Sequence, residues 1–328
     1  MDDPRRRLLL ATAALVAVPR AVSQQTTNSY RVGVICSFSP LTGQNYLAAL
    51  RERLAERGFV DGRNLTIEPK FSSSSRDHAQ RSAQELIANK ADALFVVTTT
   101  LTLGVQAATQ TVPIVFAWVE DPVASGFVRD YGNPGGNATG VTNRHSELFV
   151  KRLELLHELV PTASRIAVLA WAFHANLENA LRLAQPAAKR LGMELVRQPA
   201  PYGWASAVQS AAQSGAQAML VENALSLYWV QNHTQLLVDE ALKRRFPVLH
   251  MDHEAVDLGG LISYATNPIE ELRRGADYLA RVLNGESAAT LPVDQTADFE
   301  LALNLKTARA MGLNVPPAVL NRANRLVG

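Results

Sequence analysis

Short apolar runs rich in β-branched residues alternate with helix-period segments along most of this chain, and that alternation admits few folds. Arg31-Val-Gly-Val-Ile-Cys-Ser-Phe38 reads as a buried strand. A helix is predicted from about Gln44 to Arg57, where Leu47, Leu50 and Leu54 recur at i, i+3, i+7 and Gly58 supplies the stop. Strand Leu65–Glu68, helix Asp77–Asn89, strand Asp92–Thr98, a helix near Leu101–Thr109 and strand Pro113–Trp118 follow. Strands that are apolar throughout, separated by amphipathic helices, imply a parallel sheet covered on both faces.

The pattern then restarts. Helix Leu148–Leu159 ends at Pro161, and strand Arg165–Ala170 leads to a long helix from about Asn176 to Leu191. Strands Glu194–Arg197, Ala218–Val221 and Pro247–Met251 alternate with helices Ser206–Ser214 and Tyr228–Lys243. Between the two series, Gly132-Asn-Pro-Gly-Gly-Asn-Ala-Thr-Gly140 reads as a stretch without a regular element and as the site of the first lobe boundary. A third section holds strand Gly260–Tyr264 and helix Ile269–Leu283, with Asn267 as N-cap and Pro268 at the first helical position. The apolar segment Phe299–Leu303 and short helices Lys306–Met311 and Ala318–Arg325 close the chain. The expected fold is α/β, two doubly wound parallel-sheet lobes joined by a multi-strand hinge. The first lobe takes residues 24–143 plus 266–290, the second 144–265 plus 291–328.

The N-terminus reads as an export signal. Arg5, Arg6 and Arg7 precede an apolar run from Leu8 to Val18, and Ala21 and Ser23 put small residues at the −3 and −1 positions. That run is shorter than the roughly 20 residues a membrane span needs, so cleavage after Ser23 and a periplasmic location are expected. Residues 1–23 hold four arginines and two aspartates, so processing removes the whole net charge of +2. Downstream there is no long basic run and no aromatic–basic interleaving, which argues against nucleic acid. Cys36 is the single cysteine, so no intrachain disulfide forms, and its apolar strand setting predicts a buried, inert thiol.

Four motifs carry a family resemblance. They are Gly58-Phe-Val-Asp-Gly-Arg-Asn-Leu-Thr-Ile-Glu68; Pro113-Ile-Val-Phe-Ala117 with Asp121-Pro-Val-Ala-Ser-Gly-Phe-Val128; Pro134-Gly-Gly-Asn-Ala-Thr-Gly140; and Asn304-Leu-Lys-Thr-Ala-Arg-Ala-Met-Gly-Leu-Asn-Val-Pro-Pro317. In that order they resemble the ABC transporter substrate-binding proteins of the tryptophan/tyrosine-binding type, over nearly all of the chain after the signal. The resemblance implies a periplasmic binding protein-like fold of type I, no cofactor and no catalysis. It also implies a small-molecule ligand, possibly an amino acid, delivered to an ABC permease. A monomer is expected, and presentation of ligand to a membrane sensor is the alternative output.

Ligands of open parallel α/β sheets bind beyond the carboxyl ends of the strands. That rule selects Ser39 after the first strand and Thr99 and Thr100 after the third, where either threonine also serves as a helix N-cap. From the second series it selects Glu222, Asn223, Asp252 and Tyr264, and the resemblance implies an acidic group near here to meet a ligand ammonium. Phe38, Trp118, Tyr228 and Trp229 are candidate aromatic walls. Asp121 reads as the cap of a short helix beginning at Pro122.

Rival chemistries are weakly represented. His250-Met-Asp-His-Glu254 sets His250, Asp252 and His253 close enough in sequence to suggest a metal, but no His-Glu-x-x-His helix exists and no metal is expected. There is no Gly-x-Ser-x-Gly elbow, and no Gly-x-Gly-x-x-Gly follows the first strand. An enzyme is therefore not expected.

Overall fold

The computed structural model describes residues 29–37, 43–71, 75–143, 145–170, 177–199, 204–222, 231–295 and 298–328. The expected export signal, Phe38, Ser39, Asn223, Tyr228 and Trp229 lie outside them. The first series runs β1 (Tyr30–Cys36), α1 (Gly43–Glu56), β2 (Leu65–Phe71), α2 (Arg76–Ala88), β3 (Ala93–Val97), α3 (Thr99–Ala108), β4 (Ile114–Val119) and β5 (Ala138–Thr142). The second runs α4 (His145–Leu159), β6 (Arg165–Ala170), α5 (Leu177–Arg190), β7 (Glu194–Pro199), α6 (Trp204–Gln213), β8 (Ala218–Val221), α7 (Gln231–Arg244), β9 (Val248–His250), α8 (Glu254–Asp257) and β10 (Ile262–Thr266). Then come α9 (Pro268–Leu283), β11 (Asp294–Gln295), β12 (Phe299–Asn304), α10 (Leu305–Met311), α11 (Pro317–Leu320) and β13 (Arg325–Val327).

Two sheets result. The first has the order β11-β5-β4-β3-β1-β2 with every pairing parallel. The second has the order β13-β12-β10-β9-β8-β6-β7, parallel except where β12 runs antiparallel to β10. Each reverses its winding once, between β1 and β3 in the first and between β6 and β8 in the second, which are the switch points where α/β sheets open a crevice. Both faces of the first sheet are packed, with Val34 and Phe95 toward α1 and α9, and Ile35 and Val96 toward α2 and α3. A separate core around Phe149, Leu169, Leu220 and Leu249 serves the second. Cys36 is buried in the first core.

Three details differ from the sequence expectation. The glycine-rich stretch does enter the sheet: Ala138–Thr142 is β5, paired to β4. A Cβ on Gly140 would lie 2.0 Å from the Phe116 carbonyl oxygen, so the glycine permits this strand rather than interrupting it. Next, β11 belongs to the first sheet, so the chain returns to the second after Gln295 instead of at 290/291. Finally, the helix expected over Ala318–Arg325 is one turn, α11, followed by the edge strand β13.

The chain thus passes between sheets three times, after β5, between β10 and α9, and between β11 and β12. Asn267 caps α9 by accepting from the Ile269 and Glu270 amides at 3.0 and 3.2 Å, fixing the middle crossing. Glu271, buried one turn later, hydrogen-bonds the Thr266 hydroxyl across that crossing, and burial pushes its carboxyl up to about 8.

Candidate functional site

Two strand ends of the first sheet are held in unusual conformations. Thr98, after β3, has φ 90° and ψ 151°, and Trp118, near the end of β4, has φ 55°. Non-glycine residues in such regions cost roughly 1–3 kcal/mol each and tend to mark ligand clamps. Several bonds hold them there. The Thr98 amide donates to Ala117 O at 3.0 Å, and the Thr98 carbonyl accepts from both the amide and the hydroxyl of Thr102, at 3.1 and 2.8 Å. The Trp118 ring stands edge-on to Tyr46 with centroids 5.3 Å apart, and its Nε1 donates to Pro268 O at 3.2 Å.

Thr98, not Thr99 or Thr100, is the N-cap of α3, and it caps through backbone geometry without a side-chain bond. Thr99 is buried, and its Oγ1 accepts from the Glu120 amide at 3.3 Å, joining the ends of β3 and β4. Thr100 is half-buried one position on. Asp121 accepts from the Ala124 amide at 2.9 Å and from the Tyr131 hydroxyl, so it organises the turn after β4 rather than capping a helix.

On the second sheet the predicted acids converge. Glu222 follows β8 directly, is fully buried, and its amide donates to Leu169 O at 2.8 Å. Asp252 follows β9; one carboxylate oxygen accepts from the Ala255 amide at 2.8 Å, while Oδ2 is buried with no hydrogen bond among the described residues. Burial raises its pKa to about 6, against the Ala255 bond. Tyr264 contributes differently from the expectation: its ring leans on Phe299 at 5.8 Å, and it is the carbonyl that faces the acids' neighbourhood.

That carbonyl meets a residue the sequence reading did not single out. Arg152 on α4 is 1% exposed, its Nε donates to Tyr264 O at 2.8 Å, and its Nη1 lies 3.8 Å from Glu222 Oε2. Burial pushes the guanidinium's pKa down, and Glu222, Glu120 and Asp252 push it back up. Glu120 belongs to the first series, so this charge group draws on both sheets. A signal was available. Arg152 stands three residues from Phe149 and four from Leu156 on the apolar face of α4, a place where an arginine is out of pattern.

The two histidines do not form a site with Asp252. His250 is fully buried and neither ring nitrogen is hydrogen-bonded among the described residues; burial holds its pKa down at about 4. His253 Nδ1 instead lies 2.9 Å from Ser263 Oγ. Among the described residues no group of three or more histidine, cysteine or acidic side chains is disposed to hold a metal ion, and no helix is long and apolar enough to cross a membrane.

Comparison with known proteins agrees with this architecture. The chain is 26% identical over 266 residues to a tyrosine-binding protein of Clostridioides difficile, covering 79% of this chain and 74% of that one. A Streptococcus pneumoniae ABC domain solved in complex with L-Trp superposes with a TM-score of 0.79 at 23% identity, over 92% of this chain and all of that one. A conserved domain protein of Vibrio cholerae gives the same TM-score at 25% identity, over 91% of this chain and all of that one. The two lobes are those of the periplasmic binding protein fold of type I. The model of the ABC transporter substrate binding protein family matches residues 31–327, and the chain belongs to that family.

Proposed function

We propose that this chain is the exported solute-binding component of an ABC importer. It captures a small polar ligand, an amino acid foremost, between its lobes and hands it unchanged to a membrane permease. One observation carries the reading: buried Glu222 and Asp252 stand at adjacent strand ends beside the second switch point, and Asp252 Oδ2 accepts no hydrogen bond among the described residues. Buried acceptors without partners are costly, and a ligand ammonium would supply the missing donor. On the first sheet, Thr99, Thr100 and the N-terminus of α3 suit a carboxylate. Ser39 and Asn223 complete the proposed contacts, with Tyr264 shaping the wall from behind. The tyrosine named for one relative and the L-Trp bound to another make aromatic amino acids the first candidates.

The topology supports closure about a hinge. Three crossings form a hinge between residues 24–143 with 266–295 and the remainder, and a ligand touching both strand-end sets draws them together. Residues 1–23 would direct the chain to the periplasm.

The test is a thermal-shift and calorimetric screen of the processed protein, starting with L-tyrosine and L-tryptophan. At one hundred times Kd, a bound ligand should add about 2.7 kcal/mol of stability. X-ray scattering should show the radius of gyration falling on saturation. Glu222→Ala and Asp252→Ala should each weaken binding at least tenfold; full affinity in both variants removes the ammonium contact. If no amino acid, purine or small organic acid shifts the melting point, the capture reading fails.

A further inference from the structure

We propose that Glu271 and Arg274, three residues apart on α9, form a latch across the interlobe hinge and so set how readily the lobes part. The latch acts in the ligand-free chain and does not depend on what the cleft takes.

α9 is seated firmly on the first sheet. Leu272, Ala276 and Leu279 are buried in the first core. Gly275 brings the helix so close that a Cβ there would stand 2.8 Å from the Phe95 ring and 3.5 Å from the Ala117 side chain. The start of the helix is fixed by the Asn267 cap and by Trp118 Nε1, which donates to Pro268 O at 3.2 Å. Residues three apart on a helix are neighbours, so Glu271 and Arg274 leave α9 on the same side.

Both reach the end of a strand in the second sheet. Glu271 accepts from the hydroxyl of Thr266, the last residue of β10. Arg274 Nη2 donates to Asp298 Oδ2, one position before β12, while its Nη1 donates to Asp294 Oδ2 on β11 at 3.4 Å. Asp294 precedes the crossing back to the second sheet and Asp298 follows it, so one guanidinium spans that crossing. The two held ends also adjoin each other. Thr266 pairs antiparallel with Phe299, the residue after Asp298. Two of the three crossings therefore meet the first turns of α9 at one place.

Stability alone explains this arrangement poorly. Glu271 is 1% exposed and its Oε2 has no hydrogen bond among the described residues, a costly way to bury an acid. An ion pair to an exposed aspartate adds little by itself. The placement is what matters. Hinge motion is absorbed by the backbone angles of a few residues at element ends, and Thr266 and Asp298 are such residues. Lobes that part about these crossings must stretch both contacts. Each contact is weak, so the latch biases the lobe equilibrium without locking it, and a ligand with a modest preference for one state still shifts the balance.

The experiment places spin labels at Gln84→Cys on α2 and Gln185→Cys on α5 of the processed, ligand-free chain, both positions being exposed and Cys36 buried. Pulsed electron resonance then reads the distribution of interlobe distances. Thr266→Val removes the hydroxyl at nearly constant shape, and Asp298→Asn removes one charge at an exposed side chain. Each should raise the ratio of wide to narrow separations about two- to fivefold, the size expected of one partly exposed contact. Arg274→Gln, which loses both aspartates, should raise it at least as far. Asp298→Glu keeps the carboxylate and should keep the wild-type ratio. Arg281→Gln breaks a pair with Glu286 near the far end of α9 and should leave the ratio unchanged. A wild-type ratio in D298N overturns the role of Arg274, and a wild-type ratio in T266V overturns that of Glu271. A shift in R281Q as large as that in D298N overturns both. D298N and T266V leave Glu271 and Arg274 in place, so the test holds even where R274Q does not fold.

Discussion

His250 and Asp252 stand two positions apart at the end of β9 and respond to acid with opposite sign. The His250 pKa is about 4 in the folded chain against 6.5 as a free side chain, so between those values the unfolded state binds more protons and stability falls as pH falls. Asp252 is raised from 3.8 to about 6, so the folded state binds more protons across that interval and stability rises as pH falls. Each effect amounts to about 3 kcal/mol over its window, and between about pH 6 and 4 they largely cancel. Removing one should expose the other: relative to wild type, His250→Asn should gain stability from pH 7 to 4.5, and Asp252→Asn should lose it. Urea midpoints at pH 7, 5.5 and 4.5 check this, and two variants with the wild-type slope would contradict it. The strand-end rule needs only the strand boundaries, and the structure does place Glu222 after β8 and Asp252 after β9. It could not reach Arg152, which lies on a helix flank, nor the side-chain-free capping by Thr98, which is a property of its backbone angles.

The elements legible from sequence were those that bury both faces, since strands such as β3 and β6 are apolar from end to end. β5 was not, because Ala-Thr-Gly-Val-Thr carries little strand signal of its own and is recruited by the open edge of β4. β13 was hidden for a related reason: Arg325-Leu-Val327 is short and exposed, and only its pairing with β12 makes it a strand. Two glycines show how closely the elements approach. A Cβ on Gly140 would strike the Phe116 carbonyl oxygen at 2.0 Å, and one on Gly104 would meet Arg76 O at 2.2 Å where α3 crosses the start of α2. Both obstacles are backbone, so neither can yield by a side-chain rotation. Gly140→Ala and Gly104→Ala should therefore each cost about 3 kcal/mol or more, well above an exposed glycine-to-alanine change. Gly136→Ala, which meets nothing within 4 Å, is the control, and chemical denaturation of the three variants decides the matter.

At the scale of the whole molecule, two cores with their own sheets are joined by only three short crossings, so the ligand-free chain should not unfold as one unit. The cores are also unequal. The second lobe buries Arg152, Glu222, Asp252 and His250, whereas among the described residues of the first lobe Glu271 is the one buried acid. Burying charged and unpartnered polar groups lowers stability, so the second core should open at lower urea than the first. Trp118 lies in the first core and Trp204 in the second, which provides a fluorescence probe for each once the other tryptophans are replaced by phenylalanine. Without ligand the Trp204 transition should precede that of Trp118. A ligand bound between the strand ends of both sheets stabilises only the state in which both are folded, so saturation should raise the two midpoints and bring them together. Coincident transitions in the ligand-free protein would mean that the crossings and the Arg152 charge group already couple the lobes. Transitions that stay apart under saturating ligand would mean that the ligand rests on one lobe alone.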